Sequence, residues 1–319
     1  MKYIALCPKG LEDITQKEIK EILDVPSRVV LPGRVLFSTS VLAKLLKKTQ
    51  SIMKIYSLQQ ECSRLEEIKV FPLVTPFRVI CSRQGEYPLH SQEVEKIIGE
   101  KFYKEGNSVD LKNPKTIVFV DIVDGKIFIG KDQTPELLSR RKYRVKIHNQ
   151  SLNACIAYGL IRLSGYTGSK KILLDPFCRD GIIPIEALLY KKGKVIAYDG
   201  LFPNVHSTEV NATLAHVRKI LQVSRIETEW LDTKFAEGEV DCIVTAVPFP
   251  SKSLSENEAK KIYKDFFYHV SFILKKKGKI VCIAPHLVLF KSMCEGLGIV
   301  EEREVSTSNL SYSVVVFKK

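Results

Sequence analysis

Apolar positions along the chain fall into stretches of two different periods. Lys2 to Leu6 is a short apolar run of strand length, and Gly10 to Leu23 places apolar residues at 11, 14, 19, 22 and 23, close to helical spacing. The pair GRVLFST and SVLAKLLKKT repeats strand then helix, so residues 1–60 predict a small α+β domain. A second unit of the same kind spans residues 61–139. It reads as a strand in PFRVICSRQG, then an amphipathic helix in SQEVEKIIGEKFYKEG between a serine cap and a glycine stop. Two strands follow in PKTIVFVDIVDGKIFIGKD around an Asp124-Gly125 turn.

After a basic segment and one apolar-striped helix (residues 140–165), residues 166–319 alternate strands and helices. The expected strands are KKILLD, KVIAYD, RIETEW, EVDCIVTA, KIVCIA, IVEEREV and YSVVVFK. Such alternation predicts an α/β domain with a mostly parallel, doubly wound sheet, the last two strands forming an antiparallel edge. In these sheets ligands lie beyond the carboxyl ends of the strands, where strand order reverses, so the loops after strands hold the candidate chemistry.

Composition narrows the partners. The 319 residues carry a formal charge of +13, with the larger excess in the first 150, which favours polyanions such as phosphate backbones. The eight cysteines show no paired spacing for a zinc site, no metal site is expected, and no apolar stretch is long enough to span a membrane. The N-terminal apolar run is too short for a signal peptide, so the expected compartment is the cytoplasm. Arg140, Arg141, Lys142, Tyr143, Arg144 and Lys146 form a cationic stretch around an aromatic ring. It reads either as a solvated linker or as a set of RNA phosphate and base contacts.

The first strand of the α/β domain ends in Asp175-Pro176-Phe177-Cys178-Arg179-Asp180-Gly181. Dinucleotide and phosphate-loop glycine patterns are absent, which argues against NAD and ATP. A carboxylate at a strand end, followed by a turn that opens a helix, suits a ligand with an amino-acid end, and S-adenosylmethionine has one. Asp199 ends the second strand, where an acid accepts ribose hydroxyls, and Asp232 follows RIETEW, where it is expected at the adenine end. Beyond DCIV comes Thr245-Ala246-Val247-Pro248-Phe249-Pro250. Methylating an exocyclic amine needs hydrogen-bond acceptors and a flat stacking face. Pro248 supplies a rigid carbonyl and Phe249 a ring, whereas Ala246 accepts nothing.

These motifs resemble the THUMP-domain RNA methyltransferases, through ALCPKGLEDITQKEI, VDLKNPKT, IGKDQTPELLSRRKYRV, LLDPFC and GIIPIEA, in the same order along nearly the whole chain. The resemblance implies an N-terminal ferredoxin-like domain, a THUMP domain and a Rossmann-fold class I methyltransferase domain. It also implies S-adenosylmethionine as cofactor and N2-methylguanosine formation in tRNA or rRNA, with the THUMP domain capturing the tRNA acceptor stem and no role on DNA. By position, Asp175, Phe177, Cys178 and Gly181 fall in the cofactor loop, Asp199 in the ribose site and Asp232 in the adenine site.

The sequence departs from the family pattern twice. Arg179-Asp180 stands where the family has Gly-Ser. An arginine there costs on the order of 1 to 2 kcal/mol if the position has positive φ. Its side chain then fills room near the methionine moiety, or pairs with the cofactor carboxylate, or pairs with Asp180. Ala246-Val247 stands where the family has Asn/Asp-Pro, and loss of one such polar partner costs about 10² to 10³ in rate. Ser251 and Ser253 reach the site only if the loop folds back. The alternative expectation is an inactive RNA-binding scaffold that works beside a protein partner.

Overall fold

The computed structural model describes residues 1–251, 254–284, 286–307 and 310–319. They form two compact units: Met1–Cys7 with Thr15–Leu138, and Pro8–Ile14 with Ser139–Lys319.

The first unit holds β1 (Lys2–Leu6), most of α1 (Glu12–Leu23), β2 (Ser27–Leu31), β3 (Arg34–Ser38), α2 (Leu42–Leu46), β4 (Lys54–Cys62), β5 (Phe77–Gln84), α3 (Ser91–Lys104), β6 (Thr116–Val123) and β7 (Lys126–Asp132). Its seven strands make one sheet in the order β2-β3-β1-β4-β7-β6-β5. The boundary expected at residue 60 therefore falls inside β4. That strand pairs antiparallel with β1 over Lys54–Ser57 and with β7 from Tyr56 to Cys62, so the two expected small domains share one sheet. The Asp124-Gly125 turn joins β6 to β7 with both residues at positive φ (47° and 80°), as a tight hairpin requires. Arg34 and Asp121 form a buried ion pair from distant strands, with Asp121 also accepting from the Tyr56 hydroxyl.

The second unit holds α4 (Ala154–Ser164), β8 (Ile172–Asp175), α5 (Ile182–Tyr190), β9 (Lys194–Asp199), α6 (Phe202–Leu214), β10 (Leu221–Arg225), β11 (Val240–Ala246), α7 (Glu256–Ile273), β12 (Leu274–Ile283), α8 (Leu287–Ser292), β13 (Gly298–Ser306) and β14 (Ser311–Lys318). The strand order is β10-β9-β8-β11-β12-β14-β13. β10 to β12 run parallel, while β13 and β14 close the edge antiparallel, as the alternation predicts. The chain steps outward from β8 on one side, then returns to lay β11 on the other, which puts the switch point between β8 and β11. Leu174, Ile243, Ile280 and Cys282 pack with Tyr263, Phe266 and Phe267 of α7 on one face, and Leu173, Val244 and Val281 pack with α4 and α5 on the other.

One strand is displaced from the sequence reading. The third strand runs over Leu221–Arg225, not Arg225–Trp230, because its pairing with β9 ends at Arg225↔Asp199 and Trp230 is left 55% exposed on a short 3-10 turn. The strand expected at EVDCIVTA is found at Val240–Ala246, where Thr245 and Ala246 pair with Cys282 and Ile283.

Candidate active site

β8 delivers Asp175 to the end of the sheet, but the carboxylate is sealed there, with the residue 1% exposed. Its Oδ1 accepts from the Thr245 hydroxyl at 2.6 Å and from the Phe177 N–H at 3.2 Å. Burial raises the Asp175 carboxyl to about 7; the Thr245 and Phe177 hydrogen bonds oppose the rise and the charge of Asp199 adds to it. The folded chain thus keeps a proton that the unfolded chain loses near pH ~4. The stability linked to this proton is fully present below roughly pH 4 and is lost as pH rises toward 7. Asp175→Asn should remove this slope, so urea melts of the variant between pH 4 and 7.5 should change less than those of the wild type. Equal pH dependence in the two proteins would exclude the assignment.

The loop after β8 turns on two residues at positive φ, Arg179 at 50° and Gly181 at 80°. Gly181 caps α5, and a Cβ there would come within 2.7 Å of Thr208 Cγ2, so only glycine fits. Arg179 meets the positive-φ condition under which a side chain is costly. Asp199, at the end of β9, binds this loop to the next one. Its Oδ2 accepts the Arg179 N–H, and its Oδ1 accepts the Leu201 N–H and the Asn204 side-chain amide, each at 3.0 Å.

A cavity of 530 Å³ opens beyond these strand ends, lined among others by Phe177, Arg179, Asp199, Glu227, Pro248 and Phe249. Four of the residues expected at the site, Phe177, Asp199, Pro248 and Phe249, therefore meet around one space. Asp175, Cys178 and Gly181 do not line it: Asp175 and Cys178 are buried behind the loop, and Gly181 turns the chain into α5. Asp232 is a correction. It sits on the 3-10 turn with Oδ2 3.5 Å from His269 Nδ1 of α7, and the end of β10 presents Glu227 and Thr228 to the cavity instead. The misplacement follows from the strand having been read four residues late. Ser251 lines the cavity and bridges to Leu254, whereas Ser253 lies outside the described residues.

In the turn after β11, Val247 is buried and its carbonyl accepts from Arg179 Nη2 at 3.3 Å. The Pro248 carbonyl accepts from the Tyr263 hydroxyl at 2.7 Å. Ala246 contributes only a methyl group. A carbonyl has two lone pairs, so both keep acceptor capacity.

The basic stretch is neither a free linker nor one continuous contact surface. Arg141 Nε and Nη2 donate to the fully buried Glu186 at 2.9 and 3.1 Å, and the Tyr143 hydroxyl donates to the same carboxylate at 2.7 Å. Arg144 donates to the Ser151 hydroxyl at 2.6 Å and reaches Asp180 at 3.4 Å, while the Asn211 side chain accepts from the Val145 and Lys146 N–H groups. Arg141, Tyr143 and Arg144 are thus packed inward; Arg140, Lys142 and Lys146 face out.

A cavity of 590 Å³ between α3 and β5 in the first unit is no smaller, but Arg78, Lys96, Glu95 and Glu100 give it mixed charge and no convergent acid set. The chemistry gathers at the switch point.

Residues 141–315 match the RMKL-like methyltransferase domain family, and residues 54–132 match the THUMP domain. The chain belongs to the RMKL-like methyltransferase family. It is 24% identical to the tRNA (guanine(6)-N2)-methyltransferase of Archaeoglobus fulgidus over 99% of this chain and 92% of that protein. The Thermus thermophilus protein of the same name is 29% identical over 76% of this chain and 72% of its own length. The crystal structure of TrmN from Thermus thermophilus matches with a TM-score of 0.82 at 25% identity, covering 100% of this chain and 99% of that one. Among the described residues no helix is long and apolar enough to cross a membrane.

Within this methyltransferase family, the donor set fits the cofactor expected from the loops. Asp199 and Glu227 border the cavity with carboxylates, Leu201, Leu254 and Ile262 give it apolar walls, and Arg179 adds a cation.

Proposed function

We propose that the chain transfers a methyl group from S-adenosylmethionine to N2 of a guanine in tRNA, guanine 6 being the position named for the relatives that span most of its length. The observation that carries this reading is the cavity at the switch point, lined by Asp199 and Glu227 and by Pro248 and Phe249 of the turn after β11. Bound there, the cofactor supplies an electrophilic methyl on a sulfonium. Asp199 and Glu227 hold ribose hydroxyls, Phe249 stacks on the target base, and the Val247 and Pro248 carbonyls offer their remaining lone pairs to the amino hydrogens. The THUMP region receives the acceptor stem, and Arg140, Lys142 and Lys146 contact phosphates.

Purified chain incubated with unmodified tRNA and methyl-labelled S-adenosylmethionine should yield N2-methylguanosine, located at nucleotide 6 by nuclease digestion and mass spectrometry. Joint reversal of Arg140, Lys142 and Lys146 to Glu should weaken tRNA binding and reduce the log–log salt slope by roughly 2 to 3. Intact tRNA binding with no methyl transfer would move the reading to the RNA-binding scaffold, and an unchanged slope would remove the three cations from the interface.

A further inference from the structure

Arg179 occupies a position where its backbone is strained and where its guanidinium has no ion-pair partner among the described residues. At φ 50° an L-residue is disfavoured, and residues held in such conformations gather at sites where the strain serves a purpose. Its guanidinium is fixed from both sides of the cavity mouth: Nη1 donates to the Gln150 carbonyl at 2.9 Å and Nη2 to the Val247 carbonyl at 3.3 Å. Both partners are neutral. Only two of the five N–H donors of a guanidinium are used in this way, and among the described residues no carboxylate forms an ion pair with it.

The neighbouring acids make no hydrogen bond to this guanidinium, although Asp180 keeps a buried, unpartnered Oδ1. Asp180, the next residue, is held by Arg144 and by the His148 N–H. Asp175 accepts from Thr245 and Phe177, and Asp199 takes the backbone N–H of Arg179, not its side chain. Burial accordingly lowers the Arg179 pKa, with the charges of Asp175, Asp199 and Asp180 opposing the shift from a distance. A largely desolvated guanidinium normally has an anion against it, and its planar fork suits a carboxylate. The open side of this one lines the cavity.

We propose that Arg179 is the carboxylate receptor of the cavity, binding the α-carboxylate of the ligand's amino-acid end with N–H groups that the two carbonyls leave over. A side-chain cation then does here what backbone amides do at a glycine-containing turn. The proposal rests on the S-adenosylmethionine reading of the cavity, and the experiment separates the two.

Calorimetry on the full chain with S-adenosylmethionine and with its decarboxylated analogue, which differ only in the carboxylate, should show the wild type preferring the former by ~30-fold or more. Arg179→Gly, which suits the positive φ and so should fold, should erase most of that preference while leaving affinity for the analogue nearly unchanged. Arg179→Lys should retain part of it. A preference that survives Arg179→Gly, or a variant that binds both ligands more tightly than the wild type does, overturns the proposal and makes the side chain an obstruction. Loss of tRNA affinity in Arg179→Gly with the ligand preference intact would assign the guanidinium to an RNA phosphate, also overturning it. Binding of neither ligand by wild type and variant overturns the reading of the cavity itself, and this proposal falls with it.

Discussion

Ala246→Asn should raise the single-turnover rate of methyl transfer to tRNA by about 10² to 10³, the amount that one preorganised polar partner of a reacting group contributes. Ala246 is the last residue of β11, held by pairing with Ile283, and it leads directly into the turn that carries Pro248 and Phe249 to the cavity. What the wild type lacks is a side-chain oxygen to accept from the amine and aim its lone pair; the carbonyls that remain are shared with Arg179 and Tyr263. Ala246→Val, which adds bulk and no acceptor, separates chemistry from packing. An Ala246→Asn variant that binds cofactor and tRNA normally but reacts no faster than the wild type would show that the turn is not where the amine is held.

Glu186→Ala should destabilise the second unit by roughly 3 to 5 kcal/mol, because it leaves the Arg141 guanidinium buried without its counter-charge. The carboxylate is fully buried, takes two N–H bonds from Arg141 and a third bond from Tyr143, and so fastens the basic segment to α5. For a unit of this size the loss corresponds to a fall in Tm of on the order of 10 °C. Arg140→Glu, one residue away but exposed, should change stability by no more than about 0.5 kcal/mol. Calorimetric melts of the two variants provide the comparison. A Glu186→Ala protein melting within a degree of the wild type would mean that solvent reaches Arg141 and that the pair contributes little.

Legibility in the sequence followed the range of the forces involved. The turn after β8, the acid ending β9 and the turn after β11 could be read because each is a short apolar run stopped by polar or proline residues, and the parallel sheet then brings such ends together. Asp232 was expected at the cavity because RIETEW alternates as well as LQVSR does. Only the end of β9 at Asp199, a tertiary partner, decides between them. Asp175 looked like a ligand contact because sequence gives position and not direction; its oxygen turns inward to a hydroxyl 70 residues away. The basic segment divided for the same reason. Arg141 and Lys142 are adjacent and alike in charge, and what separates them is Glu186, 45 residues downstream of Arg141. The boundary at residue 60 failed because a shared strand leaves no mark in local periodicity.

That shared strand limits how this protein can be recombined. β4 opens the THUMP match at residue 54 and yet gives one edge to β1, a strand that lies outside the match. The RNA-capturing region is therefore not a cassette with free ends. A graft that imports residues 54–132 from a relative must fit a foreign strand against β1, and a chain begun after β4 would expose the backbone edge of β7 as a template for aggregation. In this family member, divergence of the capture region has to proceed through loops and faces, with the seam at β4 held fixed.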